Sequence, residues 1–464
     1  MTPMTCFPIT DSALRWLETI LAERFGHAWR LARTDEGLEL SLVGANGTIV
    51  FGTLCDGFTQ ARSDLPFTQW DAEREGWASV LGGPLPAPGL AELASPLIEQ
   101  NKEKTYIHYD ILGLAYWMMA RVEEIGRTDL DNHGRFPATS SHALKRGYLE
   151  RPVVDEWLNV LGQVIQRQWQ RIDLKRHKFS IVVSHDVDRP YQYFFMPGKF
   201  IARQIVGDLF KRYDLQLSIE RVRTWQLVRS ANLQFDPYNT FDWVMDQSEK
   251  HDLISAFYFI CGRSSQTFDA DYQIDHPVIR SLLRHIHDRG HEIGLHPSYE
   301  TYLKPELIEL EFRNLRKVCV EEGINQKIWG ARMHYLRYAN PSTMCALNAA
   351  GLSYDSTLGY ADYPGFRCGT SFEYPGYDAV EQNTLAIRLR PLVMTDWLYS
   401  INANQNTTLY QSEVINPPVL INVKKIAGCF HMLWHNCALS DDLSKIKYCS
   451  LLGTPDESIL QDLP

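Results

Sequence analysis

Apolar residues recur at two periods along this chain, and the change from one regime to the other divides it. Residues 11–33 carry Leu14, Leu17, Ile20, Leu21 and Phe25 at roughly helical spacing, which predicts an amphipathic helix. Leu38–Val43 and Thr48–Thr53 flank the turn pair Asn46-Gly47 and predict a hairpin. The Pro/Gly-rich run 82–89 predicts a loop. Helical patterns follow at Tyr109–Arg127 and Val153–Leu174. After Lys178, short apolar runs alternate with helix-length segments. Strands are expected at Ser180–Ser184, Ile254–Ile260, His291–His296, Ile328–Arg332, Leu352–Asp355, Leu385–Arg390 and Cys429–His435, with helices at Val278–Arg289, Pro305–Glu322 and Pro341–Ala350. Strands alternating with helices imply a parallel β/α arrangement. Seven is one short of the regular eightfold barrel, so the expected fold is α/β, a distorted or open seven-stranded (β/α) barrel.

Length adds a second unit. At 464 residues the chain exceeds what one core usually supports. A separate α+β domain over residues 1–175, a catalytic-type domain over 178–440 and a weakly patterned tail over 441–464 are expected. Net charge is −10 and the longest basic cluster, Lys175 to Lys178, is short, so no nucleic-acid partner is expected. The nine cysteines form no CxxC pair, and several sit in apolar stretches (Cys261, Cys319, Cys429), as expected of small core residues in a reducing compartment. The first ten residues lack a basic start and an apolar run, and no stretch approaches a membrane span. A cytoplasmic location is therefore the expectation.

Chemistry enters at the strand ends, where parallel β/α folds collect it. The first strand ends Ser184-His185-Asp186-Val187-Asp188. Carboxylates at i and i+2 of an extended segment share a side and repel unless a cation or proton intervenes. One of them can bind a metal while the other serves as base; a capping or loop role for either is the alternative. His296 ends the third strand, with Glu300 four residues on, a spacing able to supply two metal ligands, whereas His291 at the strand start reads as structural. Arg332 ends the fourth strand, where a guanidinium can hold a carboxylate through paired hydrogen bonds or stand in a solvated ion pair. Period 2 in the last strand places His431, Leu433 and His435 on one face, opposite Phe430, Met432 and Trp434.

In this order the segments resemble the polysaccharide deacetylases, the NodB-homology domains of carbohydrate esterase family 4. Ser184–Asp188 resembles that family's first motif, Gly290–Gly294 followed by His296 its second, Arg332 its third and Leu433–His435 its last. Position 300 departs from the pattern, being Glu where the family has a second histidine. A bacterial surface-polysaccharide and O-antigen subgroup is more closely similar at Gly294–Tyr299, His334–Arg337, Tyr354–Gly359, Gly365–Arg367 and Trp434–Asn436. Its uncharacterised N-terminal domain is similar at Tyr109–Gly113 and His133–Pro137. The resemblance implies removal of an N-acetyl group from an amino sugar, with a divalent metal, zinc by default. It places Asp188 and His296 on the metal, with Glu300 as third ligand by position or His334 in its stead. Asp186 would be the general base, oriented by Arg332. His435 would be the general acid, oriented by Asp355. A backbone N–H of residues 333–335 would face the tetrahedral oxyanion, and Leu433 the acetyl methyl. The same site would serve a cyclic amide or ureide, and a non-catalytic carbohydrate-binding role is the reading from another class.

Overall fold

The computed structural model describes residues 6–101, 103–396 and 417–453. Five strands, β1 (Trp29–Thr34), β2 (Gly37–Leu42), β3 (Thr48–Phe51), β6 (Ile98–Gln100) and β7 (Lys104–Ile107), form one sheet in the order β1-β2-β3-β7-β6, while β4 (Phe67–Trp70) and β5 (Leu85–Pro88) pair separately. The expected hairpin is the β2–β3 pair. The opening helix is shorter than expected. It stops at Phe25, where Gly26 takes a left-handed C-cap (φ 87°), and Trp29–Thr34 leaves as a strand. The run expected as a loop at 82–89 contains β5, since prolines are admitted where a strand pairs on one side only. The helix Val153–Gln168 buries Trp157, Leu161 and Ile165 over the sheet.

All seven strands expected after Lys178 are present: β8 (Ser180–Val187), β9 (Ser255–Ile260), β10 (Glu292–His296), β11 (Gly330–Ala331), β12 (Tyr354–Asp355), β14 (Asn383–Leu389) and β16 (Cys429–Leu433). Two more, β13 (Tyr374–Asp378) and β15 (Met394–Thr395), extend the sheet to nine in the order β13-β14-β12-β11-β10-β9-β8-β16-β15. Only β13 runs antiparallel. Nine strands stand where seven were expected, and among the described residues no ladder joins the two edges, so the barrel is open.

The sheet nonetheless curls hard. Three ladder steps separate β11 from β8, about 14 Å on a flat sheet, yet Arg332 Nη1, just past β11, lies 3.1 Å from Asp186 Oδ1 on β8. Inside the curl, the Tyr258 and Tyr354 hydroxyls meet at 3.0 Å from strands three ladder steps apart. Glycine makes room for these rings. A Cβ on Gly294 would stand 2.3 Å from the Tyr258 ring, and one on Gly330 would stand 2.0 Å from that of Tyr354.

Residues from the N-terminal segment pack against the large sheet. One continuous buried apolar cluster runs from Phe7 to Leu452. Trp16 donates its indole N–H to the Pro375 carbonyl of β13 (2.8 Å). Arg121 and Arg367 share Glu124, all three buried, and the two guanidinium groups hold that carboxyl down at about 2 although burial alone would raise it. Part of the stretch expected as a tail is described. Asp442–Leu452 is a helix, capped by the Asp441 side chain, whose Tyr448 packs edge-on against Trp434. Residues 454–464 lie outside the described part.

Candidate active site

The carboxyl ends of β8, β10, β11 and β16 converge. Alternation along β8 puts Ser184 and Asp186 on the inner side with Asp188 just beyond, while His185 turns the other way, its Nδ1 donating to the Trp434 carbonyl and its Nε2 bonded to the Ser255 hydroxyl. His296, the last residue of β10, hands Nδ1 to the Arg332 carbonyl at 2.5 Å, which fixes its ring and leaves Nε2 facing Asp188 Oδ1 at 3.3 Å. His334 comes from the turn after β11, where Tyr335 adopts φ 61° and Leu336 φ 54°. His334 Nε2 lies 3.5 Å from the same Asp188 oxygen.

Asp188, His296 and His334 each bring one ligand atom into a group spanning at most 4.8 Å. The donors suit a divalent cation, two imidazoles and a carboxylate being a zinc-type set. A tetrahedral site with metal–ligand distances of about 2.05 Å has edges of about 3.3 Å, against 3.3 and 3.5 Å for the two pairs here. Asp188 Oδ1 and His296 Nε2 are also buried without a hydrogen-bond partner among the described residues, a costly state unless something else is bound there. Burial disfavours charge at this point, yet the neighbours favour a positive one. Asp188 and Asp269 together lift His334 to about 9, and the three histidines His334, His296 and His435 hold the Asp188 carboxyl well below the usual carboxylate range.

Around this group stand two further units. Arg332, wholly buried, donates from Nη1 to Asp186, from Nη2 to Ser184 Oγ (2.8 Å) and from Nε to the Ser356 carbonyl (3.2 Å). Its Nη2 also meets His431 Nε2 at 3.1 Å, so this buried histidine supports the arginine and is held below its ordinary value, first by burial and then by Arg332 and Arg390. On the other side, His435 follows β16. Its Nδ1 is 3.0 Å from both oxygens of Asp396, and its backbone N–H donates to the same carboxylate at 2.9 Å. Nε2 turns inward, 3.7 Å from Asp188 Oδ2. Burial opposes charge on His435, but Asp396, then Asp188 and Asp186, outweigh it and hold the imidazole well above its usual range.

Comparison with known proteins adds little to this geometry. Residues 55–170 match the model of a family of unknown function, DUF7033. No curated protein matches. Among solved structures, a candidate polysaccharide deacetylase from Mycobacterium smegmatis is 14% identical at a TM-score of 0.37, over 62% of this chain and 86% of that one. Puue allantoinase is 10% identical at a TM-score of 0.37, over 61% of this chain and 90% of that one. Likeness of this degree assigns no activity, so function is read from the side chains.

Two residues expected in the site stand elsewhere. Glu300 caps a short turn, its carboxylate 42% exposed and 3.5 Å from Arg337, outside the ligand group. The turn after Pro297 is pinned by Asp269 and Ser264, which accept from the Tyr299 and Glu300 backbone N–H groups and aim the glutamate outward. Asp355 is buried and spends one oxygen on the Thr357 N–H (2.9 Å) and hydroxyl, so it does not orient His435. Asp396 holds that place. Asp269 was also missed: its Oδ1 lies 3.1 Å from His334 Nδ1, the carboxylate–histidine pairing that orients metal ligands. The signal for Asp396 was the same strand-end rule applied above, at the end of the apolar run Leu392–Met394. For Asp269, in an aperiodic loop, there was none. Leu433 is buried beside Leu336 and Leu392, an apolar patch next to His435. His291 accepts the Ser255 N–H and is structural.

Proposed function

We propose that this chain is a metal-dependent hydrolase that removes the N-acetyl group of an amino sugar, in bacterial surface-polysaccharide biosynthesis. The observation that carries the reading is the placement of an Arg332-held carboxylate and an Asp396-held imidazole on either side of the Asp188–His296–His334 group. Asp188, His296 and His334 would hold the cation, zinc by donor type, with Asp269 steadying His334. The chemistry that such a cation supplies when bound is Lewis acidity toward water and toward an amide carbonyl. Asp186 accepts the proton of the attacking water, its free oxygen turned to the group while Arg332 keeps the other engaged. His435, whose imidazolium Asp396, Asp188 and Asp186 favour, gives its Nε2 proton to the departing amine. Of the backbone donors expected near the oxyanion, Met333 N–H is committed to Thr357 and His334 N–H to the Pro297 carbonyl, which leaves Tyr335 N–H. Leu433, with Leu336 and Leu392, would receive the acetyl methyl.

The experiment is metal content per chain on protein purified without added metal, alongside acetate release from a panel of N-acetylated sugars and from cyclic ureides. About one ion per chain with chelator-sensitive acetate release is expected. Turnover of the ureides alone would move the substrate to a cyclic amide. Full metal with no turnover of either would leave a carbohydrate-binding role.

A further inference from the structure

Between β8 and β9 the chain inserts a helical hairpin with no part in the metal group. Its first arm, Gly198–Gly207, continues as a π-helical turn over Asp208–Arg212, reverses at Tyr213 (φ 55°) and returns as Leu215–Arg229, capped by Asp214. Only a few of its side chains are buried, chiefly Ile201 and Val228 against Tyr193. The tip is apolar and wet. Phe210 is 72% exposed, Tyr213 87%, Leu215 63% and Ile219 60%, with Phe200 and Val206 near half. Six of the twenty-one large apolar side chains exposed among the described residues thus fall within residues 200–219. Between the two arms lies an open groove of about 400 Å³, lined by Ile205, Leu209, Leu215, Ile219 and Val222.

Charge separates this hairpin from the rest of the molecule. Residues 198–229 hold seven Lys/Arg against three Asp/Glu, four positive charges net in a chain whose total is −10. Asp208 is consumed by Arg212 and Arg221. Lys199, Arg203, Lys211 and Arg223 have no anionic partner among the described residues. The hairpin also walls the site: a cavity of about 1040 Å³ runs from Asp188, Arg189 and Tyr335 out to Phe200, Arg203 and Phe210.

We propose that residues 198–229 dock this chain on an anionic lipid surface, the apolar tip and groove taking acyl chains while the unpaired basic side chains meet phosphate headgroups. Exposed aromatic and aliphatic side chains rimmed by unpaired lysine and arginine are the composition of segments that lie in a membrane interface. A second copy docking hairpin to hairpin would bring four net positive charges against four more, and a soluble saccharide offers nothing apolar to fill the groove. An anionic lipid supplies both needs at once. Neither arm can cross a bilayer, since no helix among the described residues is long and apolar enough, so the hairpin lies on the surface. Four net charges near an anionic leaflet correspond to roughly 10²–10³-fold tighter partition at low salt.

The test is flotation of the full chain with vesicles of phosphatidylcholine alone or mixed with phosphatidylglycerol. Partition onto the mixed vesicles, at least tenfold stronger than onto phosphatidylcholine and lost in high salt, is expected. Leu215→Ser with Ile219→Ser should reduce it at least tenfold with thermal unfolding unchanged, because both side chains are exposed. Lys199→Glu with Arg223→Glu should remove the preference for phosphatidylglycerol. Three outcomes overturn the proposal: no flotation at low ionic strength, wild-type flotation of the Leu215/Ile219 variant, or a wild-type dimer without vesicles that this variant dissociates. Binding is read without turnover, so flotation in the absence of any acetate release would sink only the hydrolase reading.

Discussion

His334→Ala separates the two candidates for the third metal ligand. In the structure His334 Nε2 lies 3.5 Å from Asp188 Oδ1, close to the edge of a tetrahedral zinc site, whereas Glu300 points to Arg337 at the surface. Zinc binding of about 10–16 kcal/mol spread over four ligands is about 3 kcal/mol each, so losing one protein ligand weakens binding about 100-fold. Glu300→Ala removes a half-exposed ion pair worth at most about 1 kcal/mol of stability and nothing of the metal site. Its dissociation constant should stay within about twofold of the wild type's. Asp269→Asn keeps the ligand but loosens its orientation through Nδ1, and an intermediate loss of about 10–100-fold is expected. The assay is competition with a chromophoric chelator on metal-stripped protein, with far-UV circular dichroism of each stripped variant to establish folding. A folded His334→Ala protein that binds within about threefold of wild type, while Glu300→Ala loses binding, would refute the assignment of His334 and restore Glu300.

Four other outcomes follow from the same geometry. Asp186→Asn should keep full metal content and lose at least about 100-fold in turnover, as expected of a general base; near-normal hydrolysis would remove Asp186 from that role. Asp396→Asn replaces a charged acceptor worth about 1.5–3 kcal/mol to His435, so kcat/KM should fall about 10–100-fold. Because Asp396 holds the His435 imidazolium up, its loss should also move the alkaline limb of the pH profile to lower pH; Asp355→Asn should leave that limb in place. Arg332→Met strands a buried Asp186 carboxylate and should cost about 3–5 kcal/mol in urea unfolding of the stripped protein; a loss under 1 kcal/mol would mean the pair contributes little. Burial lifts Glu311 to about 7 from an ordinary value near 4.5 although the Ser298 hydroxyl and N–H bond to it. A carboxyl whose folded value is raised holds its proton more tightly when folded. Its contribution is therefore full below about pH 4.5 and is lost as pH rises to about 7, by about 3 kcal/mol. Glu311→Gln should flatten that part of the stability profile; an unchanged slope would place the titration elsewhere.

What the chain discloses on inspection depends on whether a residue's role is local. Of the seven expected strands, β9, β11 and β12 are buried throughout and β8, β10 and β16 over most of their length, so their apolar runs mark them, while β14 is half exposed. Asp186, Asp188, His296, Arg332 and His435 stand at or just past the ends of those strands, and the strand-end rule reaches each of them. The two added strands escape it for different reasons. β15 has two residues, too few for any period, and β13 reads Tyr-Pro-Gly-Tyr-Asp, whose adjacent proline and glycine read as a turn. Missing β15 meant missing Asp396, which its parallel pairing with β16 sets beside His435. Counting four residues on from His296 favoured Glu300, but backbone bonds to Asp269 and Ser264 decide where that turn points, and neither is near in sequence. His334 reaches the group only because the following turn accepts positive φ at two non-glycine positions, a strained choice that no composition rule announces.

Strand order explains why Asp186 and His435 approach from opposite sides. β8 sits inside the ladder with β9, β10 and β11 to one hand and β16 and β15 to the other. His296 and Arg332 therefore arrive from the first side and His435 and Asp396 from the second, all meeting the aspartate pair of β8. Asp188 lies 3.3, 3.5 and 3.7 Å from His296, His334 and His435 in turn, so it is the shared point of all three imidazoles. The cavity leads from this point to the hairpin inserted after β8, the strand that carries both aspartates.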